Sequence, residues 1–181
     1  SIAAGLTADT LDTWLGGGLP LVRVMPNTPS LVGKGAAGLF ANSQVKDDQR
    51  NAVQKVFESI GSALWGDDEN LLHSVTALSG SGPAYFFLML EALESAATEA
   101  GIESETARAL AIQTMAGAAE MAARSEDDPG QLKRNVMSPG GTTERAINTF
   151  EEGGLRDLVK KAYSAAFERS REMSRELADK Q

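Results

Sequence analysis

Cysteine is missing from the chain altogether. That excludes a disulfide framework, a thiolate nucleophile and any zinc site built on sulfur, and a reducing, cytoplasmic location is the easy fit. Histidine is almost missing too. His73 stands alone beside Leu71, Leu72 and Val75, and one imidazole cannot build a metal site by itself, so a structural or surface role and no bound metal are expected. Basic residues are in the minority, 17 against 25 acidic, for a formal charge of −8 without any basic run. Nucleic acid and anionic membrane are therefore poor partners, and an anionic substrate would have to be held locally. No apolar run approaches the roughly eighteen residues of a membrane span, and no signal peptide is visible. An initiator methionine is also lacking: the chain opens at Ser1 and runs straight into apolar SIAAGL. A piece of a longer product, with part of its function upstream, is the expectation.

What is present is enough for one or two domains in 181 residues,. Residues 1–5 read as the tail of a strand ending in small residues, a place where open α/β sheets present backbone to ligands. Thr7 is placed to cap a short helix carrying Leu11, Trp14 and Leu15, and the glycines at 16, 17 and 18 end it. A strand over 21–25 stops at MPNTP. Another strand is expected at 39–41, an amphipathic helix over 46–60 with Val53, Val56, Phe57 and Ile60 on one face, and a short strand over 62–66. From Glu69 onward no convincing strand remains. The fold class is thus α/β over residues 1–68 and all-helical over 69–181.

In the helical part, Pro83 opens a helix whose residues 84–93 are apolar almost all round. Such a helix must be buried on every side, and a second copy of the chain could do it. Ser104 is expected to cap the next helix, which bears a stripe of mainly small residues and ends at SEDDPG. A short helix over 131–136 leads into SPGGTT at 138–143, and two further helices follow, the last with Glu168/Arg171 and Glu172/Arg175 pairs on a solvated face.

SPGGTT has the parts of a small anion site. Pro139, Gly140 and Gly141 allow a tight reversal, Thr142 is a good N-cap, and the free amides of Thr143, Glu144 and Arg145 would point into the loop with the positive end of the helix dipole. An ordinary capped glycine loop is the plainer reading, and these six residues do not decide between the two. GKGAAG at 33–38 matches the spacing of a dinucleotide fingerprint, but two prolines precede it and a strand follows, so a glycine-rich loop entering an edge strand is expected. The acidic run Asp67, Asp68, Glu69 suits a helix start, or one member could line a ligand site. Ser79 and Ser81 of SGSGPAYFF have no base to activate them.

Taken together, VRVMPNTPSLVGKGAAGLF at 22–40, VTALSGSGPAYFF at 75–87, QTMAGAAEM at 113–121 and QLKRNVMSPGGTTERAI at 131–147 closely resemble the pyrroline-5-carboxylate reductase family, in family order and spacing. The resemblance implies an α/β remnant of a Rossmann domain followed by an all-α helical dimerisation domain. It implies reduction of 1-pyrroline-5-carboxylate to L-proline, the last step of proline biosynthesis, with NADPH or NADH, in a homodimer or an assembly of dimers. By the same resemblance Ile2, Ala3, Ala4, Pro26, Asn27 and Asn135 become cofactor contacts. Ser138, Gly140, Gly141 and Thr142 would hold the substrate carboxylate, Thr143 would contact the ring nitrogen as the catalytic residue, and Glu69 would belong to the substrate site. The loop would face a cofactor held mainly by the other chain. The family's own GxGxxG and first strands are absent from these residues, so this chain alone is expected to bind cofactor poorly. A catalytically silent helical dimerisation fragment and a related imine or oxo-acid reductase are the rival readings.

Overall fold

The computed structural model describes residues 1–178. Its sheet has three strands, β1 (Val22–Met25), β2 (Gly35–Ala41) and β3 (Gly61–Trp65), with β2 in the centre. β1 runs antiparallel to β2, with Val22 opposite Ala41 and Met25 opposite Gly38; β3 runs parallel to β2, with Gly35 opposite Gly61 and Leu39 opposite Trp65. One face carries the core. Val24, Ala37, Leu39 and Ala63 are buried there, and Val53 and Phe57 of α2 (Asp47–Glu58) pack onto them. The other face meets α3 (Leu71–Val75). There Gly38 has to be glycine, because a Cβ would stand 2.7 Å from a Val75 methyl carbon.

Two expectations change here. GKGAAG does not enter an edge strand: Gly35 and Gly38 are themselves residues of the central strand, where bare Cα atoms let neighbouring elements close in. Residues 1–5 do not form a strand, although the Ser1 amino group donates to the Val22 carbonyl at 2.7 Å and its carbonyl accepts from the Val24 amide at 2.8 Å. The short helix α1 (Ala8–Trp14) does form as read, with the Thr7 hydroxyl accepting from the Thr10 amide.

Between β1 and β2 the MPNTP segment becomes a 3₁₀ turn, Thr28–Val32. Asn27 ties this region together, its Oδ1 accepting from the Ala36 amide at 2.9 Å and its Nδ2 donating to the Ser79 carbonyl at 3.0 Å. After α3 the backbone widens into one π-helical turn, Thr76–Gly80, before α4 (Gly82–Glu99). The expected break at SGSG is thus a change of helical pitch.

The chain packs as two units, one comprising Ser1–Ala84 together with the segment from Lys160 onward, the other Tyr85–Val159. The line expected at 68/69 separates the strand-bearing part from the all-helical part; packing divides the chain differently because α3 and the end of α8 (Leu155–Ala178) belong to the unit that holds the sheet. In the first unit, the Ser174 hydroxyl donates to the Gly5 carbonyl at 3.0 Å, and Ser170 Oγ lies 2.9 Å from His73 Nδ1. The ring of His73 meets Phe167 edge-on.

The second unit holds most of α4, then α5 (Ser104–Arg124), α6 (Pro129–Val136), α7 (Thr142–Glu152) and the start of α8. Glu103, not Ser104, caps α5: its carboxylate accepts from the Thr106 amide, a charged acceptor being the stronger partner, while Ser104 turns its hydroxyl to Glu94,. Phe86, Phe87 and Leu88 of α4 are 61–65% exposed. One chain by itself does not bury this helix.

Candidate functional site

The expected site residues fall into two groups, one in each unit. Ile2, Ala3, Ala4, Pro26, Asn27 and Glu69 belong to the first; Asn135 and the SPGGTT loop belong to the second.

In the second group, Ser138 to Gly141 close a turn through the Gly141 amide and the Ser138 carbonyl at 2.8 Å, and Gly140 takes φ +71°, which its missing Cβ permits,. α7 then starts one residue earlier than expected. Gly141 is the N-cap, Thr142 is the first helical residue, and Arg145 donates its amide to the Gly141 carbonyl at 3.2 Å. The open amides are therefore those of Thr142, Thr143 and Glu144, which have no partner among the described residues, and that of Arg145 is not among them. The hydroxyls of Thr142 and Thr143 are likewise without a partner among the described residues. A carboxylate already sits at this loop: Gly140 donates its amide to Glu144 Oε2 at 2.7 Å. Asn135 spends both ends of its carboxamide nearby in sequence, on Gln131 at 2.7 Å and Asp127 at 3.3 Å.

Glu151, at the far end of α7, takes Arg156 at 2.7 Å and Lys133 of α6 at 3.4 Å. The guanidinium of Arg156, with Lys133 adding to it, holds the Glu151 carboxyl at about 2, well below the usual carboxylate range. A group whose folded value is depressed contributes stability above its ordinary value, and that contribution is lost as pH falls towards the folded value. A carboxyl-carbon NMR titration should accordingly show Glu151 ionised through pH 4 and protonating near pH 2, with the α6 and α7 amide shifts moving in the same window; Glu151→Gln should abolish that coupled movement.

In the first group a residue passed over in the sequence is central. Arg23, in the middle of β1, is buried, donates from Nη1 to Glu69 Oε1 at 2.9 Å and from Nη2 to the Ala3 carbonyl at 3.1 Å. Glu69 Oε1 also accepts from the Ala8 amide at 2.7 Å. A cavity of about 80 Å³ opens beside them, lined by Arg23, Met25, Glu69, His73, Thr76 and Ser174 among others. Burial, with the Arg171 and Arg23 charges, pushes His73 below the usual imidazole value. The signal for Arg23 was a charge in the middle of an otherwise apolar strand. Among the described residues no cluster of acids and histidine is suited to a metal ion, and no helix is long and apolar enough to cross a membrane.

A small mixed sheet continuing into a long helical run, with a glycine loop presenting open amides at a helix start, defines an α/β-plus-helical protein. The particular family follows from comparison with known proteins. Residues 69–173 match the family model described as pyrroline-5-carboxylate reductase dimerisation. A pyrroline-5-carboxylate reductase of Pseudomonas aeruginosa is 49% identical over 177 residues, covering 98% of this chain and 65% of the relative. The solved structure of a pyrroline-5-carboxylate reductase from Coxiella burnetii superposes with a TM-score of 0.93 at 48% identity, over 96% of this chain and 64% of that one. That of Plasmodium falciparum pyrroline carboxylate reductase with NADP bound gives 0.89 at 36% identity, over 96% and 66%. The chain belongs to the pyrroline-5-carboxylate reductase family, and it spans about 65% of the length of the Pseudomonas relative.

Proposed function

We propose that the protein reduces 1-pyrroline-5-carboxylate to L-proline with NADPH or NADH. Family membership supports the reading, and the observation that carries it is the SPGGTT loop: three amides and two hydroxyls without a partner among the described residues, at the start of an eleven-residue helix. The amides of Thr142, Thr143 and Glu144 hold the substrate carboxylate at the positive end of the helix, with Ser138, Gly140 and Gly141 shaping the loop around it. Thr143 aligns the ring nitrogen and, directly or through a water, supplies the proton that nitrogen takes up as C5 is reduced. Holding both reactants in register does most of the work.

When bound, the nicotinamide supplies the hydride. Ala4 fits that end of the cofactor, since its backbone amide and carbonyl have no partner among the described residues. Ile2, Ala3, Pro26, Asn27 and Asn135 complete the set of contacts, Ala3, Asn27 and Asn135 through their surfaces because their polar groups are largely engaged. GKGAAG offers no diphosphate turn, since its last four residues belong to β2. Residues 1–68 on this reading are the carboxyl-terminal part of a Rossmann domain and 69–181 a dimerisation and substrate domain, in which the apolar side of α4 packs on a second copy and that copy holds most of the cofactor.

The test is cofactor oxidation by the protein as its gene encodes it, with the five-membered imine, its six-membered homologue and an open-chain oxo acid as substrates. Preference for the five-membered ring is expected. Turnover only of another substrate, or of none, would overturn the proposal and leave the rival reductase or the silent dimerisation module. The seat of Glu144 on Gly140 adds a second measurable effect. Glu144→Gln keeps an acceptor for that amide and removes a charge worth about 0.3–1 kcal/mol at a helix start. It should lower the KM for the imine roughly two- to fivefold at unchanged kcat.

A further inference from the structure

We propose that Arg23 is a positioning residue that sets the nicotinamide-facing segment against the substrate-facing acid. The inference rests on the reading above, in which residues 2–4 face the cofactor and Glu69 the substrate.

The geometry is a fork. One guanidinium holds the Ala3 carbonyl by Nη2 at 3.1 Å and Glu69 Oε1 by Nη1 at 2.9 Å, so the two segments are fixed to one planar group. Glu69 cannot swivel freely, because the same Oε1 also takes the Ala8 amide at 2.7 Å. Its Oε2 has no partner among the described residues, and the side chain keeps 23% of its surface exposed beside the cavity. Two donors on one oxygen thus aim the other oxygen.

Stability alone is a poor account of this arrangement. The Arg23 side chain is only 6% exposed, and its Nε is buried without a hydrogen-bond partner among the described residues. A buried ion pair of this kind is matched or bettered by apolar residues of the same volume, and an unpaired buried donor detracts from it. What apolar residues could not do is hold a backbone carbonyl and a carboxylate at a fixed spacing. Arg23 does so from the centre of β1, each residue of which pairs with β2.

Lysine keeps the charge and cannot make both bonds of the fork. Arg23→Lys in the gene-encoded protein should lower kcat ten- to hundredfold, the loss expected from a misplacement of about an ångström. The primary isotope effect with cofactor deuterated at the transferred C4 position should rise, as hydride transfer becomes slower than the steps around it. Glu69→Gln, which retains an acceptor for Arg23 and Ala8, should raise the KM for the imine while leaving that for the cofactor in place. A merely structural ion pair would move the melting temperature of Arg23→Lys with kcat per folded enzyme and the isotope effect unchanged; that outcome overturns the proposal. Should Arg23→Lys not fold, Glu69→Gln decides, since an unchanged imine KM would remove the aimed oxygen and the proposal with it. The underlying reading fails separately. If wild-type protein does not reduce the imine, both fall; if it does, and Thr143→Ala cripples it while Arg23→Lys does not, only the role of Arg23 is lost.

Discussion

Replacing Thr143 by alanine should lower kcat/KM for the imine about a hundredfold, the lower end of what a positioned proton donor contributes. The residue stands second in α7, half-buried, one position after the first open amide. Its hydroxyl is therefore next to the open amides without being consumed by a cap. If that hydroxyl meets the ring nitrogen, its loss removes an interaction that strengthens as the nitrogen takes its proton, and the deficit appears mainly in kcat. Thr143→Ser restores the hydroxyl and should recover most of the rate. Steady-state kinetics on the three proteins decide the matter: alanine within threefold of wild type would remove Thr143 from the reaction.

The largest effect on folding is expected at Leu39. It is fully buried at the centre of β2, between Val24 and Trp65, under Val53 and Phe57 of α2. Neighbours held by a sheet on one side and a helix on the other cannot collapse into a hole, so Leu39→Ala should cost about 3 kcal/mol. In a chain of this length that corresponds to a fall of roughly 6–12 °C in Tm, read by calorimetry or circular dichroism. Leu31→Ala serves as the comparison. Leu31 is 90% exposed in the 3₁₀ turn, and a change there should leave Tm within a degree or two.

Local signals were legible in the sequence and long-range ones were not. α1 could be placed from Thr7 and the glycine triplet, and α2 from its apolar period and the stop at Gly61, because the residues that start and end these helices lie within them or next to them. β2 was half missed. Its glycines look like a loop until Val75, more than thirty residues on, is seen to need the space above Gly38. The caps at Glu103 and Gly141 were misjudged by one residue, since Ser104 and Thr142 are the stronger capping types and only the geometry shows that they lie inside the first turn. The turn at SPGGTT and the helix that follows it could be read, because turn, flexibility and helix start are adjacent. The charge of Arg23 within an apolar strand is visible in the sequence but its partners are not, as they lie 20 and 46 positions away, one upstream and one downstream.

The return of α8 to the sheet has a consequence for the order of assembly. Ser174 reaches a carbonyl 169 positions earlier, and Ser170 meets His73 across 97. Closing loops of that length is slow compared with forming a hairpin or a single helix. On a ribosome, the strands and α2 emerge well before the helix that closes on Gly5 and His73, so the first unit spends most of its synthesis without those contacts. Its final packing is a late event, coupled to completion of a helix encoded more than a hundred residues downstream.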